Sequence, residues 1–173
     1  MTEDTAGPAH RSALLDGPTD NVLALVHRLS NRIGRAFHNE IEARYDLTLP
    51  EWRILLTLIQ YPACSAMEIT NRWAMEKMSV SRAIHRLEGM GRIKRSRNKD
   101  DKRSYVLALT PKGRRLFENV VPISNDRYLA MVSCLDETEK AELRRLLAKL
   151  LGEAARLGDQ GPSIRQGNNA PTE

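Results

Sequence analysis

The most chemically suggestive residues of this 173-residue chain are its cations. Thirteen of the twenty-seven Lys and Arg residues lie between Lys77 and Arg115, with three acidic residues among them. That stretch carries +10 and the remainder −5, so a net charge of +5 hides a basic face on an otherwise acidic protein. Clustered Lys and Arg release condensed counterions when they meet phosphates, which is the main source of sequence-independent affinity for nucleic acid. The plain alternative is a solvated charge run. What separates the two is whether the charges sit on elements that can present them together.

Other chemistries leave little trace. There is no phosphate-cradling Gly loop, no HExxH pattern, and no evident nucleophile with its base, so no catalytic residue is assigned and an enzyme is not expected. The four histidines (10, 27, 38 and 85) do not group with Cys or carboxylates in metal-ligand spacing, so neither a metal nor a cofactor is expected. Cys64 and Cys134 lack CxxC spacing and read as reduced thiols in apolar surroundings. No run approaches the ~18 apolar residues of a membrane span, and the N-terminus has no apolar signal region. The chain reads as cytoplasmic, with no membrane partner.

Stepping along the chain, residues 1–19 and 158–173 are rich in Gly and Pro, show no apolar period, and are expected to be disordered arms. Between them Val22, Leu25, Val26, Leu29, Ile33, Phe37 and Ile41 recur at helical steps, predicting a first helix from about Asp20 to Arg44. Thr48 with Glu51 is a capping-box pattern that opens a second helix, ending before Pro62. Ser65 with Glu68 repeats it for a short third helix. A fourth begins near Glu76 or Lys77 and ends at Gly89–Gly91. The period then changes from 3.6 to 2: residues 93–97 and 104–109 read as two strands around the polar tip Asn98–Lys102. Thr110-Pro111 starts a long fifth helix to about Cys134, with Pro122 as a kink. Asp136 and Glu139 cap a sixth, whose Leu143, Leu146, Leu147, Leu150 and Leu151 form a broad apolar stripe. The fold class is therefore mainly α: a winged helix-turn-helix module with a two-stranded β-wing, plus terminal helices.

At this point the chain resembles the MarR family of bacterial transcription regulators. The segments that carry the resemblance are LTLPEWRILLTL, SAMEITNRWAMEKMSVSRAIHRLEGMGRIKR and NKDDKRSYVLALTPKG, the last with its Asp-x-Arg and Leu-Thr-x-x-Gly signature. The resemblance spans roughly residues 20–157. It implies one domain, with residues 20–47 and 111–157 as dimerisation helices and 48–110 as the DNA-binding module. It also implies a homodimer that reads a pseudo-palindromic double-stranded operator as a repressor.

If Val80, Ile84 and Leu87 face the core, the 100° step turns Met78, Arg82 and His85 outward, flanked by Ser79, Ser81 and Arg86. The resemblance makes this the recognition helix. Its candidate DNA contacts are Lys77, Met78, Ser79, Ser81, Arg82, His85 and Arg86, with Arg86 a candidate for phosphate alone. In the wing the candidates are Arg95, Arg97, Lys99, Asp101, Lys102 and Arg103, Lys94 adding a phosphate contact. Asp101 and Arg103 match the family's Asp-x-Arg, the arginine probing the minor groove. Asp100, a second acid at the tip, weakens the local field.

The family resemblance also implies a signal, typically a small aromatic carboxylate or phenolic ligand. Ser30, Gly34 and His38 fall on one line of the first helix, and Trp52 and Arg53 are candidates to close a pocket with a ring and a carboxylate partner. The competing reading makes Ser30 and His38 ordinary polar residues and Trp52 a core residue. Two alternatives stay open: a constitutive DNA-binding protein without a ligand, and a cysteine-based redox sensor. Against the second, neither cysteine lies where the family's peroxide sensors carry theirs, near the start of the first helix.

Overall fold

The computed structural model describes residues 21–98 and 104–159. The expected N-terminal arm, most of the expected C-terminal tail and the wing-tip candidates Lys99, Asp101, Lys102 and Arg103 lie outside these residues, as does Asp100.

Helix α1 (Val22–Phe37) starts at Asn21, whose side-chain oxygen accepts the Leu23 and Ala24 N–H groups at 2.9 and 3.2 Å. The helix continues through one π-helical turn (His38–Glu42) and a last α-turn (Ala43–Tyr45), so that α1 as a whole runs over residues 22–45, where the sequence predicts unbroken α-helix. Asp46 then takes the left-handed conformation (φ 49°) that short polar residues tolerate, and the chain leaves the helix. Helix α2 (Leu49–Gln60) opens on the expected capping box: Thr48 N–H donates to the Glu51 carboxylate at 2.8 Å, and Glu51 N–H returns to Thr48 Oγ1 at 3.4 Å. The same device at Ser65 and Glu68 opens α3 (Ala66–Trp73). Ala74, at φ 48°, makes the sharp turn into α4 (Lys77–Gly89).

At the end of α4, Arg92 N–H reaches back to the Leu87 carbonyl at 2.9 Å while Gly91 supplies the positive φ of 66°. This reversal needs glycine because a Cβ there would be strained. Strands β1 (Ile93–Arg97) and β2 (Tyr105–Leu109) pair antiparallel, Ile93 opposite Leu109 and Arg97 opposite Tyr105. Cys64, in the turn before α3, extends the pairing: its carbonyl accepts the Leu107 N–H at 2.9 Å. The wing is thereby tied to the body of the module.

Helix α5 (Pro111–Val132) and helix α6 (Glu137–Asp159) complete the described chain. The described residues form two compact units that divide between Ser124 and Asn125, inside α5 and just after Pro122. The expected functional division at residues 47/48 and 110/111 does not coincide with that boundary. In the first unit, Ile41, Leu47, Ile54, Leu55, Ile69, Ile84, Leu87 and Val120 are fully buried in one core. Along α1, however, Val22, Leu25, Val26, Leu29 and Ile33 remain exposed. In the second unit, Asp136 and Glu139 cap α6 reciprocally at 2.9 and 2.8 Å, and Leu143, Leu146, Leu150 and Leu151 are exposed along it. The helix runs two residues beyond the expected boundary at 157, to Asp159.

Candidate nucleic-acid interface

Helix α4 is oriented by what it buries. Val80, Ala83, Ile84 and Leu87 face the core, so one apolar stripe fixes which residues look outward. Lys77, Met78, Ser81, Arg82 and His85 are exposed, and Ser79 is half-buried beside them. The outward face thus combines two cations, hydroxyls and an imidazole, groups that can hydrogen-bond base edges or phosphates.

The wing adds a second cationic surface. Lys94, Arg95 and Arg97 are exposed on β1 while Ile93 and Leu107 anchor the hairpin in the core. Arg95 and Arg97 both lie over the Tyr105 ring, at 5.9 and 5.8 Å from its centroid, and Arg95 also pairs with Glu88 of α4 at 3.4 Å. The ring and the carboxylate hold these flexible side chains in register before any partner arrives. Sequence reading missed Tyr105. Its signal was the period-2 alternation, which puts an aromatic opposite an arginine. Between α3, α4 and the hairpin lies a groove of about 260 Å³, edged by Lys77, Ser81, Arg95 and Tyr105.

Arg86 departs from the expectation for a DNA contact. Its guanidinium donates to both Glu51 carboxylate oxygens at 2.7 Å and to the Asp46 carboxylate. These charge-assisted bonds, Glu51 first, raise its pKa above the ordinary value. The side chain, still 36% exposed, is held by the buried Glu51 carboxylate and the exposed Asp46.

The five ligand candidates are not gathered into one site. Ser30 and His38 are exposed on α1, His38 within 3.1 Å of Glu42. Gly34 faces Leu49, whose methyl lies 3.7 Å from where a Cβ would stand. Trp52 is 3% exposed and stacks on Phe117 at 5.3 Å, so it is a core residue. Arg53 lies over Trp73, 5.3 Å from the ring centroid, and burial lowers its pKa. Adjacent positions on a helix point about 100° apart, which is why Trp52 and Arg53 cannot both face α1.

For Cys64, burial first and the Glu68 carboxylate second push the thiol above its ordinary value. A thiol so placed is a poor nucleophile, which weighs against redox sensing through it. Among the described residues no cluster of His, Cys, Asp and Glu could hold a metal, and no helix is long and apolar enough to cross a membrane.

An amphipathic helix presented beside a basic hairpin, both fixed to one core, defines a winged-helix DNA-binding protein. Residues 47–105 match the model of the MarR family. The chain is 26% identical to the transcriptional regulator MgrA of Staphylococcus aureus over 126 residues, 73% of this chain and 84% of MgrA. A MarR/EmrR-family regulator from Acinetobacter sp. ADP1 superposes with a TM-score of 0.76 at 26% identity, covering 81% of this chain and 99% of that one. BpsR of Bordetella bronchiseptica, whose DNA binding is regulated by 6-hydroxynicotinic acid, superposes with a TM-score of 0.66 at 27% identity over 75% of this chain and 97% of BpsR. Over residues 47–105, and in its fold, the chain is similar to the DNA-binding transcriptional regulators of the MarR family.

Proposed function

We propose that the protein acts as a homodimeric repressor on a pseudo-palindromic operator in the cytoplasm, released by a small aromatic or phenolic acid. The observation that carries the dimer is the exposed apolar surface of the terminal helices. Val22 is 60% exposed and Leu151 65%, each on a helix with further exposed Leu or Val neighbours. Such stripes are left open in a lone chain only when another surface covers them. A second copy covers them and sets two α4 helices in successive major grooves. Lys77, Met78, Ser79, Ser81, Arg82 and His85 then meet the DNA from α4, with Arg95, Arg97, Lys99, Lys102 and Arg103 from the wing and Asp101 as a brace for the tip.

The regulation of BpsR by 6-hydroxynicotinic acid supports the ligand class. On α1 the proposed contacts are Ser30, Gly34 and His38; Trp52 and Arg53 leave the set for the partners described above. A ligand releases DNA only by binding the non-binding conformation more tightly. The test is a melting-temperature screen of aromatic acids, 6-hydroxynicotinic acid included, followed by DNA titration with each acid that binds. The reading expects at least one acid to weaken DNA binding by about 5- to 150-fold, with His38→Ala reducing that response. If none alters DNA binding, the protein is a constitutive regulator.

A further inference from the structure

Two arginines that the basic face does not use meet where α1 ends. Arg86, in the last turns of α4, holds the carboxylates of Glu51 and Asp46. Glu51 is 1% exposed, and its Oε2 also accepts the Thr48 N–H that caps α2. Arg92, just before β1, donates to the backbone carbonyls of Asp46 and Tyr45 at 2.6 and 3.0 Å. Its own carbonyl accepts the N–H and the hydroxyl of Thr110 at 3.1 and 3.0 Å, at the start of α5. Gly113 presses so closely on that carbonyl that a Cβ would lie 1.9 Å from its oxygen. One joint therefore gathers the end of α1, the start of α2, the end of α4, the root of the wing and the start of α5.

Apolar packing holds α4 against the core but is tolerant of small rotation and slide. Directional bonds from a planar guanidinium are not. Glu51 makes the tie obligatory, since a carboxylate buried without its partner is strongly unfavourable. We propose that Arg86 and Arg92 are positioning residues for DNA recognition: with Asp46 and Glu51 as acceptors they lock α4 and the wing at one angle to α1, and they act without touching phosphate. The assignment rests on α4 being the DNA-contacting helix. In a homodimer joined through α1, that angle sets the separation of the two recognition helices.

The test uses the full chain, and duplexes selected by the parent protein from a random pool. Affinity is measured across a salt series, with the active fraction fixed by stoichiometric titration. Asp46→Asn is the informative variant, because Asn tolerates the left-handed conformation and the fold is kept. It deletes a negative charge from a protein that binds a polyanion, so electrostatics alone tightens binding. Positioning instead weakens it, by about threefold for a tie this exposed. Arg86→Met alone strands Glu51 and risks the fold, so the double variant Arg86→Met/Glu51→Gln is paired with it: no buried charge is left unpaired, Asp46 being exposed, and an acceptor for Thr48 is kept. We expect about a tenfold loss for the double variant with the parent's dependence on salt. Tighter binding by Asp46→Asn, parental affinity in the double variant, or a salt slope reduced by about one per protomer would each overturn the assignment, the last by making Arg86 a phosphate contact. A parent that selects no duplex overturns the DNA-binding reading itself, a different failure.

Discussion

The winged module and the terminal helices spend their apolar residues in opposite ways. In the module, Ile54, Leu55, Ile69, Ile84 and Leu87 are sealed, and the surface beside them is cationic. In α1 and α6 the apolar stripe is itself the surface, and the flanking charges pair locally, as Glu142 with Arg145 and Glu153 with Arg156. A region that closes its own core can present polar chemistry outward. A region that leaves its core half-built presents an adhesive face. On the proposed function, recognition of DNA and self-association would be separable by surface type in one short chain.

Substitutions on the two sides should differ in kind as well as size. Ile84→Ala opens a cavity under α4 and is expected to destabilise the fold by about 4 kcal/mol. Denaturant unfolding should give the same loss at every protein concentration. Leu146→Ala, on the exposed stripe of α6, should instead show a melting-temperature loss that shrinks as concentration rises, because mass action restores the dimer. If both losses are independent of concentration, the contrast between sealed and adhesive regions fails.

Next in size is Gly113→Ala, which drives a Cβ into the Arg92 carbonyl. Overpacking against backbone that cannot yield should cost about 3 kcal/mol, seen as a lower denaturation midpoint. A neutral result would show that α5 starts more loosely than the geometry requires. Arg82→Ala leaves the fold alone and should remove ~1–3 kcal/mol of discrimination among DNA sequences, measured by competition between selected and scrambled duplexes.

The smallest effect carries a sign. The backbone N–H of Ser65 first, then its hydroxyl, stabilise ionised Glu68 and hold its carboxyl below the ordinary carboxylate range. That stabilisation is present above the ordinary value and is lost as pH falls through the lowered one. Ser65→Ala should therefore cost about 1 kcal/mol near neutral pH, and less in acid. A loss that grew toward low pH would contradict the capping geometry.

Local rules account for what could be read in advance. The capping boxes at Thr48, Ser65 and Asp136 mark helix starts because both partners lie three residues apart. The orientation of α4 follows from Val80, Ile84 and Leu87. Apart from the π-turn after Phe37 and the placement of Tyr105, the misses are long-range. Arg86 finds Glu51 and Asp46 across 35 and 40 positions, and Arg92 finds Tyr45 across 47. Nothing in the pattern around an arginine tells whether it will meet a phosphate or a distant carboxylate. Trp52 was ambiguous for the same reason, since only the assembled core places Phe37 and Phe117 against it. The Cys64–Leu107 bridge joins a turn to a strand with no local signature at all.

The central claim is that the surface of α4 and the wing, doubled in a dimer, meets the phosphates of duplex DNA. Its most direct test is the affinity of the intact protein for a selected duplex at rising salt. With on the order of ten phosphate contacts, affinity should fall by ~10³–10⁵ between 50 and 200 mM. An affinity that stays flat across that range would show that the basic stretch from Lys77 to Arg115 is not the binding face.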